Sequence, residues 1–158
     1  MSRAMDRIRW VVPLIGLWIA IPGTATAQTL TVTADPGALV VSTAVPGSAP
    51  DPVSDESTTY NVTTPTGAAN ARIAARLDTP LPPGVTLQVE LEAPPGATSV
   101  GPVVLTTSEQ DVVTGIPPGI NASGLKIRYS LSATPAAGVV TLQTVGVTFT
   151  LVSPSARI

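Results

Sequence analysis

Alternation of apolar and polar residues with a period of two is the feature that most constrains the fold of this chain. In "LKIRYSLSA", Leu125–Ala133, apolar residues occupy every second position, and "TLQVELEA", Thr86–Ala93, repeats the pattern. A period of two places the apolar side chains on one face of a β-strand, whereas a helix needs a period of about 3.6. The 17 prolines and 13 glycines divide the chain into short segments. Short alternating segments between turn residues are typical of antiparallel sandwiches.

We therefore predict an all-β fold, an antiparallel immunoglobulin-like β-sandwich of about 7–9 strands. The strands are expected at residues 28–34, 38–42, 58–64, 71–77, 86–93, 101–108, 110–116, 125–133 and 139–152. Residues 101–108 and 110–116 form either two short strands or one bent strand interrupted at Ser108 and Glu109. Residues 43–57 contain three prolines and three acidic residues, and they are predicted to form an irregular surface loop. Two antiparallel pairs are expected, 71–77 with 86–93 and 125–133 with 139–152.

The first 27 residues have the order of a secretory signal peptide. A basic start, an apolar run and small residues before a cleavage position follow one another; they are Arg3, Arg7 and Arg9, then Trp10–Ile21, then Ala25 and Ala27. The run is shorter than the roughly 20 residues of a membrane-spanning helix. We expect removal of residues 1–27, which leaves a single domain at 28–152 and a flexible tail at 153–158. Retention of the segment as an uncleaved anchor is the alternative.

Charge and composition narrow the function of the exported chain. Removal of the signal leaves five basic against nine acidic residues, so no basic patch is expected for nucleic acid, and no membrane span remains. The chain has no cysteine and no histidine. It therefore forms no disulfides, and it lacks both the commonest zinc ligand and the commonest general base. We expect no cofactor and no enzymatic activity.

The positions of the charged residues disfavour two catalytic arrangements. The only lysine, Lys126, faces solvent on its strand, which disfavours a Ser–Lys dyad. Glu90 and Glu92 share a strand face at a spacing that a glycosidase could use. Opposite arginines make them ordinary surface charges, and we predict cross-strand ion pairs within the set Arg72, Arg76, Glu90 and Glu92.

Calcium is the remaining candidate ligand. Asp51, Asp55 and Glu56 could supply oxygen atoms to Ca²⁺, although their spacing lacks the register of a calcium loop. An extracellular module that binds polysaccharide or Ca²⁺ is therefore kept as the alternative function.

One loop is singled out by its flanking residues. Ile116, Pro117, Pro118, Gly119 and Ile120 form "IPPGI" between two predicted strands. The prolines enforce extended backbone and the glycine permits a reversal. The segment is interpreted first as a connection whose isoleucines fold onto the core, and second as a recognition loop.

The stretch from "TTYNVTT" to "GVTFTLV", behind a signal peptide and with Pro-Gly loops, resembles small secreted bacterial surface proteins with immunoglobulin-like or pilin-like sandwiches. The resemblance implies a structural or adhesive role in the cell envelope or outside the cell. It also implies that "QTLTVTA", Gln28–Ala34, acts as a donor strand that completes a neighbour's sheet. The expected partners are copies of this chain or other envelope proteins, which bind through edge strands.

Overall fold

The computed structural model describes residues 27–42, 48–138 and 143–154. Within these ranges the chain forms nine strands and one short 3-10 helix, Pro135–Ala137, and no α-helix. The strands are β1 Thr29–Thr33, β2 Val53–Thr63, β3 Ala71–Leu77, β4 Val85–Leu91, β5 Thr98–Ser99, β6 Val103–Val104, β7 Gln110–Ile116, β8 Asn121–Ala133 and β9 Val147–Val152. The predicted signal peptide up to residue 26 and the tail residues 155–158 lie outside the described ranges.

The strands form two antiparallel sheets. One sheet has the order β1-β2-β8-β4-β6, and the other has the order β5-β7-β3-β9. Three of the pairs are nested along the chain, because β2 pairs with β8, β3 with β7 and β4 with β6. The prediction of an all-β fold built from antiparallel strands is confirmed.

Alternate apolar side chains of both sheets meet in one core. Tyr60, Val89 and Ile127 project from the first sheet. Ile73 and Val112 project from the second sheet, and all five side chains are fully buried. Burial of an aliphatic or aromatic side chain of this size stabilises a fold by about 1.5–3 kcal/mol. The two sheets are therefore held together by packing between their facing sides.

Both predicted strand pairs are wrong. β3 and β4 belong to different sheets, as do β8 and β9. β3 pairs with β7 and β9 instead, and β4 pairs with β8 and β6. The alternation of a strand specifies which face is buried, but it does not specify the partner, since any two strands of matching period can pair.

The boundaries of β2 also differ from the expected ones. The strand begins at Val53, inside the stretch predicted as a loop, because Val53 and Asp55 pair with Leu131 and Tyr129 of β8. Ala38–Ser42, predicted as a strand, is irregular. The pairing partner along β8 overrides the turn-forming composition of residues 53–57.

Smaller departures occur in β3 and β9. In "ARIAARL", Ala71–Leu77, the alternation predicts Ile73 inward and Ala74 outward, but Ala74 is buried, and the β3–β7 register shifts next to it on either side of Ile73. β9 begins only at Val147, and residues 139–142 of its predicted span lie outside the described ranges. A glycine within a predicted strand, such as Gly146, indicates a bulge or a close backbone approach. The structure shows the close approach, because Asp78 N–H donates to the Gly146 carbonyl (2.9 Å) and a Cβ there would overlap the Asp78 carboxylate.

A buried hydroxyl without a partner provides a test of the core. Thr58 is fully buried, and its Oγ1 makes no hydrogen bond. An unsatisfied buried polar group costs about 1–3 kcal/mol. We predict that Thr58→Val raises the free energy of unfolding, measured by urea titration, by about 1 kcal/mol. Thr59→Val, at a half-buried neighbouring position, is the matched control and should change stability little; a loss of stability in Thr58→Val would contradict the prediction.

Candidate interaction site

Three Pro-Pro-Gly turns shape the ends of the sandwich. They are residues 82–84, 94–96 and 117–119, and each glycine has a positive φ, +82°, +81° and +75° respectively. The first two close in the ordinary way, since Val85 N–H donates to Pro82 O (3.1 Å) and Ala97 N–H donates to Pro94 O (3.0 Å). A turn with proline at its second position and a positive φ at its third requires glycine at that third position.

The third turn is opened by a threonine from another loop. Thr64 Oγ1 donates to Pro117 O (2.8 Å) and accepts from Ile120 N–H (3.0 Å), so the hydroxyl stands between the two groups that would otherwise bond each other. Thr64 N–H also donates to Ile120 O (2.8 Å), and Gly119 N–H donates to Pro65 O (3.1 Å). Thr64 is 4% exposed. The loop is therefore pinned to the end of β2 by four hydrogen bonds.

These four hydrogen bonds determine the position of the predicted interaction loop, residues 116–120. Ile116 is fully buried and Ile120 packs against the core, so neither isoleucine is presented to a partner. Pro117 is half-buried, and Pro118 and Gly119 are exposed. The isoleucines cover the core as the connection interpretation expects. The recognition role remains a prediction for the exposed tip.

The hydrogen bonds of the Thr64 hydroxyl provide a second test, which compares two substitutions at this one position. In Thr64→Val the Pro117 carbonyl and the Ile120 N–H lose their shared partner, and we predict a loss of about 2 kcal/mol in the free energy of unfolding. Thr64→Ser keeps the hydroxyl and should recover most of that loss. Urea titration of both variants checks the prediction. Equal stability of the valine and serine variants would contradict it.

The predicted ion pairs between β3 and β4 are wrong, because the two strands lie in different sheets. Arg72 Nη1 instead contacts both carboxylate oxygens of Asp111 on β7, at 2.7 and 2.9 Å. Their side chains are 48% and 37% exposed, so the pair contributes about 0–1 kcal/mol. Arg76 stands opposite Thr148 of β9. The alternation of β3 predicts that both arginines point outward, as they do, but it does not predict which residues lie next to them.

Glu90 and Glu92 also have other neighbours than expected. Glu90 stands opposite Arg128 of β8, whose Nε lies 3.0 Å from Glu56 Oε1. The Glu92 carboxylate accepts from Lys126 N–H (3.1 Å). The two glutamates therefore interact with the central strand of their own sheet.

A bulge in β2 positions Asp55. Glu56 and Ser57 together oppose one residue, Arg128, between the pairs Asp55–Tyr129 and Thr58–Ile127. Asp55 accepts from Ser57 Oγ (2.7 Å) and Ser57 N–H (3.2 Å). These bonds, the side-chain bond first, and one from the Gly37 backbone hold the pKa of Asp55 below its usual value. Within the described ranges no three acidic residues converge as metal ligands.

The lowered pKa of Asp55 predicts a pH dependence. A carboxylate whose pKa is lower in the folded than in the unfolded chain adds stability above the unfolded value, about 3.9, and loses it as the pH falls through the folded value. Asp55→Asn should lower the urea midpoint at neutral pH, and the difference from the wild type should shrink in strong acid. Asp51→Asn, at an exposed position, is the control. A difference independent of pH would contradict the prediction.

The two buried tyrosines are structural. Tyr60 OH donates to the Glu92 carbonyl, and burial raises its pKa above the ordinary value. Burial, with the nearby Asp35 and Asp55 carboxylates, raises the pKa of Tyr129 to about 12. Both hydroxyls therefore stay protonated at neutral pH.

Two surface depressions of the described residues are at or below the lower size limit of small-molecule pockets. One of about 200 Å³ is lined by Gln88, Glu90, Arg128 and other residues of the first sheet's outer face. A second of about 300 Å³ lies beside Leu81, Val104 and their neighbours. Typical small-molecule pockets have about 300–1,000 Å³. Glu90 lines the first depression, whereas Glu92 does not.

Among the described residues, the longest strands at the sheet edges lie together on one side of the sandwich. β1 ends the first sheet and β9 ends the second, and the Gln28 side chain joins them through Leu151 O (3.4 Å) and Ser153 Oγ. We call this side, β1 with β9, the open side. Neither strand contains a charged residue or a proline. The opposite edges, β5 and β6, are two residues long.

In the described part of the chain, no helix has the length and hydrophobicity needed to cross a bilayer. Comparison of the sequence with protein-family models and curated proteins, and of the structure with solved structures, found no match.

Proposed function

We propose that this chain is a non-enzymatic, exported protein of the cell envelope or exterior, and that it acts structurally or adhesively by pairing strands along its open side. The observation that carries the proposal is the pair of uncharged edge strands β1 and β9 on one side of the sandwich. A sheet edge presents a row of N–H and C=O groups that another chain can pair with.

Sheet edges in monomeric proteins are usually protected. Charged side chains, prolines, bulges and short strands all prevent the addition of another strand. On the side of β5 and β6 this protection is present as short length. On the open side, Thr29, Thr31 and Val32 are exposed on a strand without charge. This contrast supports association through the open side.

The weak attachment of β1 also supports the proposal. Of its five residues only Leu30 packs against the core, and the other four are exposed. Burial of one leucine contributes about 1.5–3 kcal/mol. β1 lies within Gln28–Ala34, the segment that the resemblance to pilin-like proteins implies as a donor strand. Exchange of β1 between copies would break its five residue pairs with β2 and would uncover one side chain of the core, and the same pairs would form again with β2 of the other copy.

The strand order supports a winding other than the immunoglobulin-like one that the sequence predicts. In an immunoglobulin constant domain, strands A, B, E and D share one sheet, and C, F and G share the other. Here the second strand lies beside the eighth, and the pairs β2–β8, β3–β7 and β4–β6 are nested. We infer a jelly-roll winding, a double-sheet architecture known from capsid and lectin domains.

The test compares edge charge with central charge in the chain that begins at Gln28. Sedimentation velocity over a range of concentrations should show self-association of the wild type. Thr31→Lys on β1 and Thr150→Lys on β9 place a charge on the open side and should raise the dissociation constant about tenfold or more.

Ser130→Lys is the matched control, because Ser130 lies on β8, which is paired on both sides. A wild type that stays monomeric at every concentration would overturn the proposal. Equal weakening by the central lysine would also overturn it, because the effect would then come from net charge.

A further inference from the structure

The sequence of β9 is complementary to itself in an antiparallel pair. We propose that two copies of this chain pair through β9 about a two-fold axis at Phe149, which joins the two four-stranded sheets into one. The proposal rests on the proposed association along the open side, and it names the strand, the partner and the register.

The side chains of β9 alternate strictly. Val147, Phe149 and Leu151 pack against the core, whereas Thr148 and Thr150 lie on the other face. In an antiparallel pair, residues directly opposite each other lie on the same face. A register centred on Phe149 therefore sets Val147 against the partner's Leu151, and Thr148 against the partner's Thr150.

The backbone of β9 supports the same register. The Gly146 carbonyl accepts from Asp78 N–H and so faces β3, whereas the Leu151 carbonyl accepts from the Gln28 side chain and so faces away from β3. Backbone groups alternate in direction along a strand. Val147, Phe149 and Leu151 therefore point their N–H and C=O groups toward the open edge, where a partner strand displaces the Gln28 side chain from the Leu151 carbonyl. In the proposed register these residues form the hydrogen-bonded pairs.

The chemistry of the pair favours a second copy as the occupant. Phe149 is the only phenylalanine, and it stays half-buried at the sheet edge. Pairing places it against the partner's Phe149, and aromatic and Thr–Thr cross-strand pairs each stabilise a sheet by a fraction of a kcal/mol to about 1 kcal/mol. β9 carries no charge that would repel its own copy. A two-fold interface needs such a self-complementary surface.

The absence of cysteine from the chain makes the register directly testable. In the proposed register Thr148 and the partner's Thr150 form a non-hydrogen-bonded pair, with Cα atoms about 4.5 Å apart, inside the range for a disulfide. Chains carrying Thr148→Cys and chains carrying Thr150→Cys are mixed and oxidised. We expect the mixed disulfide dimer, identified by mass, to exceed either homodimer at least about fivefold, since diagonal positions lie about 7–8 Å apart.

Each other product has a defined meaning. Dominant homodimers of Thr148→Cys would place the axis at Thr148, and those of Thr150→Cys would place it at Thr150; either result overturns the register. A dominant disulfide between Thr150→Cys and Thr31→Cys chains would assign β1 as the partner of β9 and overturn the proposal. Ser130→Cys, on central β8, is the control for random collision.

Two measurements separate this proposal from the proposed function and from misfolding. Thr148 Oγ1 donates to Asp78 Oδ1 (2.6 Å), so circular dichroism and urea titration must show that Thr148→Cys folds. A wild type that associates in sedimentation while no β9 disulfide exceeds the Ser130→Cys control would overturn only the β9 dimer. A wild type that stays monomeric would overturn both proposals.

Discussion

Packing of alternate apolar side chains between the two sheets is the interaction on which the rest of the structure depends. The chain has no disulfide to restrain its unfolded state and only three aromatic residues after residue 27, so aliphatic side chains supply most of the core. Each strand contributes one face to that core and leaves the other to solvent. The turns, the bulge in β2 and the exposed edges all follow from strands that are fixed by their inner faces.

The sequence predicted strand bounds and buried residues correctly wherever one face of a strand is apolar and the other is polar. The alternation predicted β3 at its observed bounds, and it predicted most of β4 and β8, including the burial of Val89 and Ile127. It failed at strand pairing, because Asp111 becomes the neighbour of Arg72 only after a nested winding that no local pattern specifies. It failed again at residues 53–57, where pairing with β8 outweighs two charged residues and two serines.

The candidate site divides in the same way. The Pro-Pro-Gly tripeptide marked a reversal correctly, and Gly146 marked a close backbone approach. No local sequence pattern distinguishes Thr58 from Thr64. The buried hydroxyl of Thr58 has no hydrogen-bond partner, whereas that of Thr64 bonds both Pro117 O and Ile120 N–H. The difference arises from the three-dimensional neighbours, because polar backbone groups of residues 117–120 lie within reach of the Thr64 hydroxyl and none lies within reach of the Thr58 hydroxyl. Edge strands are likewise a property of the sheet order. No local pattern in the sequence specifies that β1 and β9 lie on adjacent edges.

The open turn at Pro117–Gly119 has a consequence for the order of folding. The other two Pro-Pro-Gly turns bond within four consecutive residues, and they can close as soon as the chain is made. The third needs a hydroxyl that lies 53 residues earlier, and that hydroxyl arrives only when β2 has joined β8. Contacts of such sequence separation carry a large loop-closure cost and form late. This loop therefore completes its bonds later than the other two Pro-Pro-Gly turns, and its closed form requires that β2 and β8 have already met.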